Sequence, residues 1–189
     1  MKKAFVLAAL LMAFGFTAKA QGTVTTTTLK LQGVEMVETL SEDGTSMIKR
    51  PYRWFAGIGK ADDKSTAVEM AQMEAYATVS RVIENVVSAQ AERGTLTVNG
   101  KVEKALKSYW QQMSMSIQKA TEPFGDTQIE YNSETKMYEA ISKVGIRGDR
   151  YVKILDGAKN EKPAGLSGSE LQQFQEANQS IIDAAKSAN

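Results

Sequence analysis

The segment GIGK, Gly57–Lys60, is the part of the sequence most like a phosphate-binding loop. A dinucleotide-binding fingerprint requires a third glycine where Asp62 stands, and a carboxylate there would repel a pyrophosphate. A P-loop requires four residues between its glycines and a Gly-Lys-Ser/Thr ending. Here one residue separates Gly57 from Gly59, and alanine follows the lysine. We therefore predict that the two glycines let a helix lie close on a strand, or relieve a bend.

Other residues that could perform catalysis are few. Serine and lysine occur in the spacing Ser-x-x-Lys three times, at 46–49, 116–119 and 133–136, without the SDN and KTG motifs that accompany it in acyl-transfer enzymes. The chain has no cysteine and no histidine. This composition excludes disulfides, thiol catalysis, Ser-His pairs and metal sites built on thiolate or imidazole ligands. We predict a non-enzymatic protein without a cofactor.

Asp62 and Asp63 are adjacent carboxylates that precede a helical pattern. Negative charge is favourable at a helix start, so either aspartate, or Thr66 with Glu69 as a capping box, is predicted to begin a helix. No ladder of calcium ligands follows the pair, and we predict no metal site. A hydrolase that uses these two carboxylates with Lys60 is an alternative function.

Four large aromatic residues define the candidate ligand or interface site. They are Trp54, Phe55, Tyr109 and Trp110. Aromatic side chains of this size either pack in a core or form a platform for a ligand or a partner. Both alternatives remain open from the sequence.

The hydrophobic pattern predicts an α+β fold, with a small antiparallel sheet and helices packed on one of its faces. An arm or hairpin is predicted over 21–50, with a turn at 42–44 and a further strand over 23–31. The main domain is predicted over 51–156. It comprises a strand at 53–60, helices at about 62–94 and 101–120, a hairpin at 125–146, and a short helix or final strand at 150–155. A linker over 157–169 and an amphipathic helix over 170–187 complete the chain.

The first twenty residues have the pattern of a secretory signal. Lys2 and Lys3 precede the uncharged apolar run Ala4–Phe16, and Ala18 and Ala20 supply small residues before a cleavage site. The run would span about 20 Å as a helix, too short for a membrane core of roughly 30 Å. We predict cleavage after Ala20 and export to the periplasm or the exterior, with no later membrane span. Without a cysteine no lipid anchor is expected.

The charges are nearly balanced. The chain has 23 basic and 22 acidic residues, and three of the lysines lie in the predicted signal, so the processed chain is slightly acidic. No basic patch stands out, and nucleic acid is not an expected partner.

The run Pro51–Ile83 resembles the twenty-kilodalton envelope lipoprotein (LPP-twenty) family of Gram-negative bacteria. That family has a Trp-x-x-Gly-x-Gly strand, an acidic or polar turn, and a helix with spaced alanines. The matching residues are Trp54, Gly57, Gly59, Ala67, Ala71 and Ala75. A second helix and a hairpin near Tyr138 extend the similarity over about 53–155.

The resemblance implies an α+β domain with a helix across a small antiparallel sheet, and no shared catalytic residues. Some family members are similar to dodecin-like proteins and to a tumour-necrosis-factor-inducing bacterial protein. Since this chain has no cysteine, it would be a non-lipidated member. We predict an exported, non-enzymatic envelope or secreted protein that acts through protein contacts, with an unknown envelope protein or as a homo-oligomer. The alternative is a small-ligand-binding module with an aromatic-lined pocket or an oligomer interface.

Overall fold

The computed structural model describes residues 30–92 and 99–187. The predicted signal peptide, and all but the last two residues of the strand predicted over 23–31, lie outside the described residues. The described elements are β1 (Gln32–Leu40), β2 (Met47–Ala61), α1 (Lys64–Glu92), α2 (Gly100–Ala120), β3 (Glu122–Pro123), β4 (Gln128–Asn132), β5 (Met137–Arg147), α3 (Gly148–Gly157) and α4 (Ser169–Ser187). The predicted α+β class, with a small antiparallel sheet, is confirmed.

The sheet has the strand order β1-β2-β5, and β3 and β4 both pair with β5. All pairings are antiparallel. Strand β2 pairs with β5 from Tyr52 to Ala61, whereas β1 pairs with β2 from Phe55 back to Met47. The first five residues of β2 therefore form a two-stranded hairpin with β1, beyond the end of β5.

Helix α1 lies directly on the glycines of β2. A Cβ atom built on Gly57 would collide with the backbone of Ala71 and Ala75, and one built on Gly59 would collide with the backbone of Ala67 and Ala71. The three alanines are four residues apart, on one side of the helix, and all are fully buried. Small residues on both surfaces thus allow the close approach of helix and strand that the sequence predicts.

The other helices complete the core. Helix α2 contributes buried side chains at Val102, Leu106, Trp110 and Ile117. Tyr109 and Met113 also fit the three- and four-residue spacing of this line, but the structure places them at its edge, half-buried, and puts Trp110 and Ser114 on it. Each fully buried large apolar side chain stabilises the fold by about 1.5–3 kcal/mol relative to an exposed one.

Helix α4 belongs to the core. Its buried face includes Phe174, Ile181 and Ile182. The Tyr151 hydroxyl donates to the Ala185 carbonyl oxygen at 3.2 Å, and the side-chain amide of Asn178 donates to the Ala158 carbonyl oxygen at 2.7 Å. An amphipathic pattern alone does not say whether such a helix docks on the domain, and these contacts show that α4 does.

Helix ends follow ordinary capping chemistry. The Asp63 carboxylate accepts from the Thr66 backbone N–H at 2.9 Å, at the start of α1. The Asn99 side chain accepts from the backbone N–H groups of Lys101 and Val102 at the start of α2.

Segment 150–155 lies in helix α3, which settles the choice between helix and strand for these residues. Among the helices that the structure describes, none combines the length and apolarity needed to cross a membrane.

Candidate protein-interaction surface

The GIGK segment does not form an anion-binding loop. Gly57 and Gly59 lie beneath α1, where the helix backbone occupies the space above them. The Lys60 ammonium donates to the Glu139 carboxylate at 2.7 Å. The hydroxyl and the backbone N–H of Thr66 hold the pKa of Asp63 below its usual range, as expected of a helix cap.

Members of all three Ser-x-x-Lys pairs lie in local structural features. The Ser46 hydroxyl lies 3.3 Å from the Ser41 hydroxyl in a turn, and Lys49 lies 3.9 Å from the Glu38 carboxylate. Ser116 donates to a helix carbonyl oxygen at 3.1 Å. Lys136 has a left-handed backbone, with φ of 55°, in the turn between β4 and β5. Among the described residues, no group of three or more acidic side chains could hold a metal ion.

The four aromatic residues lie in different environments. Phe55 and Trp110 are fully buried in the core. Tyr109 is half-buried beside them, with its ring edge-on to Trp110 and to Phe174 at centroid distances of 6.2 and 5.9 Å. Trp54 lies on the opposite face of the sheet, with the Lys143 ammonium 4.6 Å from the centre of its ring. The structure therefore does not bring the four into one pocket.

Two cavities are prominent in the described part of the chain, and none of these four residues lines either. The larger, of 760 Å³, lies between α3, Tyr52 and the turn after β1. Its basic residues Arg147, Arg150 and Lys153 face three acidic ones, Glu42, Glu122 and Asp149. The smaller, of 410 Å³, is lined by Phe124, Lys143 and neighbouring residues.

One ion pair of the larger cleft lies within it. Two guanidinium nitrogens of Arg147 donate to the two carboxylate oxygens of Asp149 at 2.6 and 2.8 Å. This contact holds the pKa of the Asp149 carboxyl below its usual range. Equal numbers of opposite charges give the cleft no preference for an anion or a cation.

The most distinctive exposed surface lies on the β1–β2 hairpin. Seven side chains on one side of this hairpin are all exposed, and we call them the hairpin face: Val34, Met36, Glu38, Leu40, Met47, Lys49 and Pro51. The four large apolar members are 47, 57, 59 and 60% exposed, in the order Val34, Met36, Leu40 and Met47. The described helices pack on β2 and β5 rather than on β1.

The turn of the hairpin is built by polar side chains. The Ser41 hydroxyl donates to the Asp43 carboxylate at 2.5 Å, and the Thr45 backbone N–H donates to the same oxygen at 3.2 Å. Gly44 has a φ of 71°, a conformation that favours glycine. The Ser41 backbone N–H donates to the Ser46 carbonyl oxygen at 2.8 Å, which joins the two strands. Strand register, and with it the hairpin face, is thereby specified.

The opposite side of the hairpin is partly covered. Arg50 lies 3.7 Å from Glu42 and 3.8 Å from Asp149 at the start of α3. The side chains of Val37, Thr39 and Ile48 on this side are partly buried. These contacts hold the hairpin against α3 while its other side remains open to solvent.

Pro51 fits the point where the hairpin leaves the sheet. The N–H of Ala56 points toward β1, since it donates to the Leu31 carbonyl oxygen at 2.8 Å. By alternation the missing N–H of Pro51 would point to the other side, where β5 has already ended. A proline here breaks no strand pairing and disfavours the addition of another strand.

Comparison with known proteins leaves the chain without a relative on which to base its function. No protein-family model, no curated protein and no solved structure matches it. The resemblance to the envelope lipoprotein family therefore remains a prediction from the residues in 53–155.

Proposed function

We propose that this chain is an exported, non-enzymatic protein of the cell envelope, and that it acts by binding another protein chain through the hairpin face. The observation that carries the proposal is the row of exposed apolar side chains at Val34, Met36, Leu40 and Met47. Contiguous exposed apolar groups with polar neighbours are typical of protein–protein contact sites.

The residues that could have performed chemistry support the same proposal. Gly57 and Gly59 are needed for the contact with α1, and Asp63 caps that helix. Lys60 is engaged by Glu139. Each of these groups thus has a structural role, and the sequence holds no cysteine or histidine to replace them.

Photo-crosslinking in living cells tests the proposed contact. A photoreactive amino acid is placed at Met36 on the hairpin face, and in a matched variant at Met115 on the exposed side of α2. Both methionines are about half exposed and apolar, at 57 and 50%. We expect a discrete adduct from position 36 and none from position 115. Absence of an adduct at 36, or equal adducts at both positions, would contradict the proposal.

Export is tested separately by cell fractionation and N-terminal sequencing of the protein from its own host. The signal pattern in Met1–Ala20 supports export. We expect an envelope or extracellular protein that begins at Gln21. An unprocessed chain confined to the cytoplasm would refute this part of the proposal.

A further inference from the structure

The outer edge of β1 carries backbone groups that point away from the sheet. In an antiparallel pair, positions bonded to the partner strand alternate with positions whose backbone groups point outward. The Leu31 carbonyl oxygen and the Ser41 N–H, at the two ends of β1, both bond toward the β2 side. By alternation, the N–H and C=O groups of Val34, Met36 and Glu38 point to the other side. Among the described strands, β2 alone pairs with β1.

The edges of the described sheet differ in how strongly they discourage an added strand. The opposite edge has only β3, of two residues with Pro123, and β4, of five residues. At the outer edge of β2 in the hairpin lie Lys49 and Pro51, and lysine and proline both disfavour strand pairing. Strand β1 is nine residues long, contains neither lysine nor proline, and keeps an unbroken register with β2. A long and regular edge of this kind is a template for another strand.

We propose that the partner of the hairpin face adds an extended segment to the outer edge of β1 as a further strand. This inference rests on the proposed function and deepens it, because it names the kind of partner that the same surface binds. The added strand takes the outward hydrogen bonds of Val34, Met36 and Glu38, and its alternate apolar side chains continue the hairpin face. Because α1 packs on β2 and β5 rather than on β1, the added strand lies beside the helical layer.

The charges of β1 indicate which side chains the added strand carries. Strand β1 has two acidic side chains, Glu35 and Glu38, and no basic one. The Glu38 carboxylate lies 3.9 Å from the Lys49 ammonium, whereas Glu35 is exposed on the side opposite the hairpin face. A strand with lysine or arginine on the Glu35 side and apolar residues on the other side therefore complements β1.

The same charges disfavour a second copy of this chain as the occupant. Two β1 strands side by side would combine two carboxylates from each copy, four in all, with no basic side chain on either strand. Like charges on paired strands are destabilising. The acidic edge thus selects a basic strand over a copy of itself.

Amide hydrogen exchange tests the edge directly, on the isotope-labelled chain purified from its own host. The probe is a synthetic peptide of alternating valine and lysine, nine residues long like β1. In the free chain, the amide hydrogens of Val34, Met36 and Glu38 should exchange rapidly, and those of Glu35 and Val37, which face β2, slowly. Peptide at about ten times its dissociation constant should slow exchange at the three outward positions about tenfold.

A peptide with glutamate in place of lysine is the matched control. It should bind about tenfold more weakly, because its carboxylates meet the Glu35 carboxylate. The variant Glu35→Lys should reverse this preference. Equal binding of the two peptides to the wild type would overturn the proposed chemistry of the partner.

Proline substitution separates backbone contact from side-chain contact. Val34→Pro removes an outward N–H without breaking a hydrogen bond to β2, and Val34→Ala shortens the side chain but keeps this N–H. The valine–lysine peptide should bind Val34→Pro about tenfold more weakly than Val34→Ala. Equal affinities would mean that the contact uses side chains alone, which contradicts strand addition. If Val34→Pro is unfolded, the hydrogen exchange of the wild type decides.

The exchange pattern can overturn the inference in three ways. Slow exchange at the three outward positions of the free chain, at every concentration, would mean that this chain covers its own edge. Protection that appears only as the chain concentration rises would assign the edge to a second copy. No added protection with the valine–lysine peptide would exclude strand addition by a basic segment.

The crosslinking experiment separates this inference from the proposed function. If an adduct forms at position 36 and any of these contrary results is found, the proposed function stands and only the added basic strand is excluded. If position 36 gives no adduct, both proposals fail.

Discussion

The two halves of strand β2 present the same side of the strand to different surroundings. From Arg53 to Ala61 every second side chain is buried beneath the helices, and Phe55, Gly57 and Gly59 lie on this side. The same side of the strand continues through Pro51, Lys49 and Met47, yet these three side chains are exposed. One continuous strand thus changes from a core element to an exposed surface at Arg53.

Residue size contributes to the difference. The covered half uses glycines, which allow α1 to approach until its alanines meet the strand. The open half has large side chains at Met47 and Lys49 and no helix above it. Large apolar groups without a covering layer remain in contact with water until a partner removes them from it.

Truncation of one side chain in each half should show the largest contrast. Phe55→Ala leaves a cavity in the core and should lower the free energy of unfolding by about 3–5 kcal/mol. Met47→Ala on the same side of the same strand should change it by no more than about 0.5 kcal/mol. Urea unfolding at concentrations where the chain is monomeric measures both. Equal losses would mean that the covered and open halves do not differ as the structure shows.

Addition of a methyl group tests the close contact itself. Gly57→Ala forces α1 away from the strand, because backbone atoms of Ala71 and Ala75 occupy the position of the new Cβ. The expected loss is about 2–3 kcal/mol.

Gly157→Ala is the matched control for this substitution. Its Cβ would meet no atom within 4 Å, and the backbone there is helical with φ of −59°. This change should stabilise the protein by about 0.4–1 kcal/mol. If Gly57→Ala leaves the free energy of unfolding unchanged, α1 and β2 are not in close contact.

Alkaline pH should weaken the core that covers this half of β2, because Tyr109 of α2 packs against that core. We expect this effect to be smaller than those of the two kinds of substitution above. Burial, helped by the nearby charge of Glu161, raises the pKa of Tyr109 to about 12. An unfolded tyrosine loses its proton near pH 10. Between these values the unfolded state binds fewer protons, so stability is retained below about pH 10 and falls as pH rises toward 12.

Urea unfolding at several alkaline pH values measures this decline. Tyr109→Phe removes the titrating hydroxyl and should make the decline less steep. Burial also raises the pKa of Tyr151, so part of the decline should persist in that variant. Identical pH profiles for the wild type and the variant would exclude a contribution from Tyr109.

Much of the fold could be predicted because local patterns and the tertiary structure agree. The turn signal at 42–44 predicts a hairpin as one of two alternatives for this segment, and the structure shows the hairpin of β1 and β2. The alanine spacing predicts the helix that lies on Gly57 and Gly59. The apolar spacing in α2 does not predict the burial of Trp110 in place of Tyr109. These residues are neighbours on the helix, and a face assigned from spacing alone can be displaced by one position.

The hairpin face could not be identified from the sequence alone. Val34 and Met36 alternate with polar residues, but partly buried Val37 and Ile48 lie on the opposite side. Both sides therefore contain apolar residues, and periodicity does not say which one a helix covers. That choice depends on where β5 ends and where α3 begins, which long-range packing decides.

The closure of the core by the last helix has a consequence for the order of folding. The Arg53 guanidinium reaches the Lys186 carbonyl oxygen at 3.5 Å, across a separation of 133 residues. While a ribosome is still adding α4, the emerging chain lacks Phe174, Ile181 and Ile182 and has no finished core. Vectorial synthesis therefore yields an incomplete domain until the final helix appears. Under the export proposed above, such delayed closure would help to keep the chain unfolded while it is threaded through a translocation channel.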